Sequence, residues 1–400
     1  MENLLPDGVY IGLPDQIYFQ QGALGSSDLR YLWDEKTADG WWWRSPHNPY
    51  YVRPKRDALE FGSALHCLAL EGEEAYLARY YVMPAKSQFT DLIVTTDDLK
   101  AALKASDAPA SVLKGKKSDL VEAVKTYAPE RHIWDDIVSK AERKAAGKMI
   151  LPADIDHQVR TMVGAGMKNE LARGLFTAEG GVRVTELSVF WTLPTGTRLR
   201  FRFDSLLPQA NCDLKSIDGW RPGESLTDAA GKAIGNHHLD IQAALSFTAR
   251  RQMYHYIQAG KVHIWPEQAP GATDPELVKS WLNRFPGEAP LNAGEQPGWN
   301  WLWLFFQKPT MDGRAPTLLP VWMRFGSLEH ADGYAKAVLG VANYEDRVRR
   351  FGLSEPWACA LDPHHLNAAH HDTAEQITIP SWVPRPPAVQ TQADELNWKA

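Results

Sequence analysis

Between residues 184 and 206 apolar and polar positions alternate. Leu187, Val189, Trp191 and Leu193 mark one segment and Leu199, Phe201 and Phe203 the next, with Pro194-Thr195-Gly196 between them. Period two on both sides of a turn-forming triplet predicts a β-hairpin. A third run, residues 211–217, follows almost at once and predicts a third strand. Elsewhere the period lengthens. Over residues 57–71, Leu59, Ala64, Leu65, Leu68 and Ala69 recur near helical spacing, and similar patterns predict helices around 153–173, from about 236 to 258 and from 327 to about 351. Strands are predicted at 300–308 and 317–323. Ser26-Ser27-Asp28 supplies side-chain oxygens that would cap the amides of Leu29, Arg30 and Tyr31, so a helix is predicted to start there.

The composition shifts between residues 98 and 129, where two short amphipathic segments, LKAALKAS and KKSDLVEAVK, flank a loop with Pro109 and Gly115. This reads as a small helical insert dividing a larger domain into 1–97 and 130–382. From Lys100 to Lys148 there are 11 Lys or Arg against 7 Asp or Glu, a surplus of 11 − 7 = +4 in a chain whose formal net charge is −6. A polyanion partner and a merely solvated helical face both give that count. From residue 383 the chain is rich in Pro, Gln and Ala and is expected to be a disordered tail.

With 44% hydrophobic and 23% charged residues over 400 positions, the chain is an ordinary globular protein large enough for one big core or two modest ones. No run of eighteen apolar residues occurs and MENLLPDGVY has no signal-peptide character, so a cytoplasmic protein without membrane contact is expected. Cys67, Cys212 and Cys359 form no CxxC pair, which speaks against a zinc ribbon or a disulfide framework. The clustered tryptophans, Trp41 to Trp43 and Trp299, Trp301 and Trp303, suit core packing; a base-stacking platform is the other reading. The stretch His364 to His371, HHLNAAHH, lacks metal-site spacing, and Gly231-Lys232 lacks a phosphate-loop context.

Alternation places Arg198, Arg200, Arg202 and Asp204 on the face opposite the apolar side chains of the second strand, and Asp213 and Lys215 on one face of the third. Glu186 on the first strand points away from Leu187 and Val189, so three carboxylates and a lysine can converge. Such a cluster repels itself unless cations occupy it. Magnesium answers the problem, because it needs only one or two carboxylates beside water and substrate phosphate. Asp204 and Asp213 could then share a metal that activates water, with Lys215 assisting the nucleophile or the developing phosphorane charge. An isolated Asp-x-Lys triplet is common by chance and usually solvated.

The succession GSALHCLALE (62–71), TELSVFWTL (185–193), RFRFDSLLP (200–208), DLKSI (213–217) and LDIQAALSF (239–247), after the opening Ser-Ser-Asp-Leu, resembles the motifs of RecE-type exonucleases of the PD-(D/E)XK superfamily, as found in phages and prophages. The resemblance covers most of residues 20–380. It implies an α/β (α+β) restriction-endonuclease-like fold, with a mixed central sheet flanked by helices. It also implies His66 as a metal ligand, Glu186, Asp204 and Asp213 as acidic site residues, the Leu214 carbonyl completing the metal sphere, Lys215 as the catalytic lysine and Gln242 on the following helix. Alone, His66 on a mostly apolar helix reads as a core histidine. Where relatives often carry Tyr four residues after the glutamine this chain has Ser246, so Phe247 or Tyr254 is a candidate to line the DNA path. LKAALKAS with LKGKKSDLVEAV resembles SAP or helix-extension-helix modules, in which Lys114, Lys116 and Lys117 would face phosphates; a packed helical hairpin is the alternative. Arg200 and Arg202 are further DNA-contact candidates.

What the resemblance implies for function is a Mg2+-dependent (Mn2+ substituting) 5′ to 3′ exonuclease on linear double-stranded DNA. It would leave 3′ single-stranded ends for recombination, work with a single-strand annealing protein and form a homo-oligomeric ring. A Cas4-like nuclease would need four cysteine ligands for its cluster, and the chain has three scattered ones. The non-enzymatic alternative is a DNA-binding or assembly protein of the same fold that has lost its chemistry.

Overall fold

The alternation at 184–206 does build a hairpin, and the sheet grows from it on both sides. In the computed structural model, which describes residues 4–52, 57–177, 184–207, 210–218, 224–265, 300–308 and 316–357, the main sheet has seven strands. They are β1 (Gly8–Ile11), β2 (Val184–Thr192), β3 (Arg198–Leu206), β4 (Ala210–Ile217), β5 (Val262–Ile264), β6 (Asn300–Gln307) and β7 (Leu318–Arg324). Their spatial order is β7-β6-β4-β3-β2-β1-β5. β1, β2, β3 and β4 pair antiparallel in turn, β6 runs parallel to β4 and antiparallel to β7, and β5 runs parallel to β1. The mixed central sheet expected from the sequence is thus present.

Helices cover both faces. On one side α1 (Ser26–Leu32), α4 (Leu239–Gln258) and α5 (Leu328–Phe351) bury Leu29, Leu245, Phe247 and Ala337 against Val189, Trp191, Phe201, Phe203 and Trp303. On the other, α2 (Asp57–His66) and α3 (Ala153–Met167) bury Phe61, Leu65, Val159 and Met162 against Cys212, Leu214, Leu302 and Leu304. A strand buried on both faces needs apolar residues at every position, which explains the unbroken run Trp301 to Phe306. Most of the described tryptophans therefore serve packing, Trp41, Trp42, Trp191, Trp301, Trp303 and Trp357 being buried. Gly333 allows α5 to approach α4 closely, since a Cβ there would lie 2.4 Å from the Asp240 carbonyl oxygen.

Two helix ends differ from the sequence reading. The segment from about 236 is interrupted at His238, which takes a left-handed conformation between helix Leu226–Asn236 and α4. At α1 the cap residue is Gly25, and Asp28 reaches back to accept its amide at 2.8 Å instead of capping the amides ahead. The insert leaves the domain after Tyr80–Val82 and returns at Met149–Leu151, two segments paired in parallel. Inside it, helices Thr96–Ala105 and Lys117–Tyr127 pack Leu99, Leu103, Leu120 and Val124 together, and Leu92–Ile93 pairs with His132–Ile133 to close the base. The stretch from Leu92 to Ile133 therefore has a core of its own, wider than the 98–129 read from composition. The tail from 383, the histidine-rich stretch, Trp299 and Cys359 lie outside the described residues.

Candidate active site

The site sits where the sheet departs from regularity. Val184 and Leu187 enter the same core, as do Phe203 and Leu206, although strict alternation would send residues three apart to opposite faces. Both strands slip at one level. The β2–β3 register pairs Thr185 with Ser205 and Leu187 with Phe203, so Glu186 stands opposite Asp204 at a rung where the ladder is broken. Glu186 adopts φ 53°, a left-handed conformation that costs a non-glycine residue about 1–3 kcal/mol and persists only where its surroundings enforce it. Beyond Cys212 the β3–β4 pairing stops, and the backbone of Leu214 is taken over by site residues. Its N–H lies 3.4 Å from Asp204 Oδ2 and its carbonyl oxygen 2.9 Å from His66 Nε2.

His66 reaches this point because the apolar face of α2 packs onto Cys212 and Leu214. Directly after His66 the helix widens into a π-helical turn, Cys67–Glu71, a local irregularity that often accompanies functional sites. The other imidazole nitrogen, Nδ1, lies 3.5 Å from Asp204 Oδ2. One donor atom each from His66, Glu186 and Asp204 falls within 4.8 Å of the others. Burial first and the Asp204 charge second push the Glu186 carboxyl up to about 8; burial pushes Asp204 up to about 6, with His66 pulling it down and Asp213 pushing it up.

Asp213 and Lys215 share the other side of β4. Asp213, 1% exposed, accepts a hydrogen bond at 2.7 Å from Gln242 Nε2 on Oδ1, while the Lys215 ammonium lies 2.5 Å from Oδ2. One turn further along α4, Ser246 bonds to Asn211 at 3.1 Å and Arg250 to Asn211 at 2.9 Å, so Ser246 fastens helix to strand. Phe247 is buried against Phe325 and His330 and cannot line a DNA path, because the helix turns it into the core.

Arg200 and Arg202 have a task other than the DNA contact anticipated for them. Arg200, 8% exposed, donates to the carbonyls of Tyr18 and Phe19, and Arg202 donates to Leu13 O at 2.7 Å and pairs with Asp15. Both guanidiniums lie over the Tyr18 ring. These buried cations fix residues 13–19 as one lining of a cleft of about 750 Å³, whose other linings include Ser26, Ser27, Ser63, His66, Glu186, Asp204 and Gln242. Lys114, Lys116 and Lys117 are exposed on the insert, Lys117 in an ion pair with Asp135 at 2.6 Å. Sequence reasoning missed Arg30, which donates to Gln242 Oε1 at 2.8 Å; the available signal was a lone cation on a helix otherwise committed to the core by Leu29 and Leu32.

Comparison with protein-family profiles and with curated protein sequences gives no match. Among solved structures the chain is similar to a "putative exonuclease" from Eubacterium rectale, with a TM-score of 0.41 and 13% sequence identity over 92% of this chain and 97% of that one. Among the described residues no helix is long and apolar enough to cross a membrane.

Proposed function

We propose that this chain is a magnesium-dependent deoxyribonuclease of PD-(D/E)XK type. The observation that carries the reading is the convergence of His66, Glu186 and Asp204 on one point beside the Asp213–Lys215 pair, at the rung where two strands break register together. The donor set fits a hard divalent cation: one imidazole nitrogen and two carboxylates whose repulsion already favours a neutralising partner. His66, Glu186 and Asp204 would hold the ion, with Asp213 and the Leu214 carbonyl beside them. When bound, Mg2+ or Mn2+ supplies Lewis acidity toward a phosphodiester oxygen and acidifies water. The protein's own contribution is positional. Asp213 holds the Lys215 ammonium where it can offset negative charge developing on phosphate, and Gln242 keeps Asp213 in place.

The finer reading rests on the resemblance of the sequence motifs to RecE-type enzymes: a 5′ to 3′ exonuclease on linear duplex DNA, producing 3′ single strands for an annealing protein and working as a ring in the cytoplasm. The lysines of the insert would add phosphate contacts. Linear duplex DNA labelled at either 5′ or 3′ ends, incubated with Mg2+ or with EDTA, tests both levels. Release of 5′ label as mononucleotide only with Mg2+, abolished in Asp204→Asn and reduced by roughly 10²–10³ in Lys215→Ala, is the expected result. DNA binding without cleavage would establish the non-catalytic alternative, and cleavage of closed circles would replace the exonuclease by an endonuclease.

A further inference from the structure

Behind Asp213 and Lys215 a row of charges continues past the groups that the cleavage chemistry uses. Lys336 on α5 meets Asp240 at 2.5 Å; Asp240 and Asp213 both act on the Arg30 guanidinium, which α1 delivers; Arg30 donates to Gln242 Oε1 at 2.8 Å; Gln242 donates to Asp213 Oδ1 at 2.7 Å; and Asp213 meets Lys215. The signs alternate along the whole row, with a single amide in the middle. An amide between a cation and an anion has one favourable orientation, oxygen toward the cation and NH2 toward the anion, and each charge-assisted bond strengthens the other. Gln242 alone could swing on its two methylenes. Arg30 removes that freedom by holding its oxygen, although Arg30 Nε is buried with no hydrogen-bond partner and so carries a desolvation cost.

We infer that Arg30 is a positioning residue for the cleavage site: through Gln242 it fixes the orientation of Asp213 and thereby of Lys215, without touching DNA. This rests on the nuclease reading proposed above. The elements involved explain why such a device is needed. Asp213 comes from β4 just where that strand loses its β3 partner and is paired with β6 on one edge alone, which sets the backbone but not the turn of the carboxylate, and the bridge to α1 and α4 ties that carboxylate to the helix layer.

The experiment compares Arg30→Ala, Arg30→Lys, Gln242→Ala and the double variant Arg30→Ala/Gln242→Ala. For Arg30→Ala, turnover on linear duplex DNA with Mg2+ is expected to fall by roughly 10²-fold, the scale of a small misplacement at a reacting centre, with KM and the salt dependence of DNA binding unchanged. Arg30→Lys should recover part of the loss, and the double variant should be no worse than Gln242→Ala, because both act through one bridge. Crystal structures of the metal-free wild-type and Arg30→Ala proteins should show the Gln242 amide rotated away from Asp213 in the variant, a readout that does not depend on catalysis. If Arg30→Ala does not fold, Arg30→Gln takes its place in the series. A raised KM with a shallower salt slope would make Arg30 a DNA contact and overturn the inference, as would additive losses or an unmoved Gln242. An inactive wild-type enzyme would instead remove the nuclease reading, and the crystallographic comparison would still decide the Arg30 bridge.

Discussion

Glu186 shows how a single residue can be held against its own preference. Its backbone is left-handed, and its carboxyl is pushed up to about 8 from an ordinary 4.5 by burial first and by Asp204 second. The sign of the consequence follows from linkage. A carboxyl whose pKa is raised in the folded protein binds its proton more tightly there than in the unfolded chain, so its contribution is fully present below about pH 4.5 and is lost as pH rises through about 8; Asp204 behaves likewise between its ordinary 3.8 and about 6. In metal-free protein, Glu186→Gln is therefore expected to melt level with wild type near pH 4.5 and above it at pH 8.5, by on the order of 1–3 °C. Saturating Mg2+ should reverse the order at pH 8.5, since wild type then gains the ion and the variant loses a ligand. Thermal melts at the two pH values, each with EDTA or Mg2+, check this, and a pH-independent difference would mean that neither burial nor the Asp204 charge raises the Glu186 carboxyl.

At the scale of elements, the hairpin, the third strand and the helix bearing His66 were legible because each obeys a simple period over most of its length. The shared slip at Glu186 and Asp204 was not. Alternation holds on either side of it, and only the core membership of Val184 with Leu187, and of Phe203 with Leu206, reveals the missing step. Gly8–Ile11 is too short to show a period and is defined by its pairing with β2 and β5. The same blindness applied to Arg200 and Arg202, whose alternation placed them on the site face correctly but could not say that residues 13–19 would already be there to receive them. That difference is testable. Arg200→Ala removes the buried guanidinium that the Tyr18 and Phe19 carbonyls and Asp28 share and is expected to cost about 2–4 kcal/mol in denaturant unfolding. The slope of log DNA affinity against log salt should stay where it was. A DNA-contacting arginine would give the opposite pair, near-normal stability and a slope reduced by about 0.9.

For the molecule as a whole, the proposed nuclease reading would divide the work on a polyanion between the insert and the sheet. The cleft is lined by acids and by arginines already occupied with their own chain, so it offers little free positive charge to duplex DNA. The insert offers the reverse. It has a separate core from Ile93 to Ile133, contributes none of the grouped site residues, and exposes Lys114, Lys116 and Lys117 at the turn into its second helix. Lys117 meets Asp135, but that pair is half exposed on both sides and such pairs are worth little, so it does not remove the lysine from DNA. Replacing all three by alanine should therefore lower the salt slope by roughly 2–3, the loss of up to three phosphate contacts at about 0.9 each. Because the insert's core is its own, melting should hardly move, and because the site residues lie elsewhere, turnover at saturating DNA should stay within about twofold. Affinity measured on duplex DNA across a salt series, beside single-turnover cleavage, separates this from the packed-hairpin reading: an unchanged slope would leave the three lysines as ordinary solvated charges, and a collapse of turnover at saturation would make the insert part of the cutting machinery.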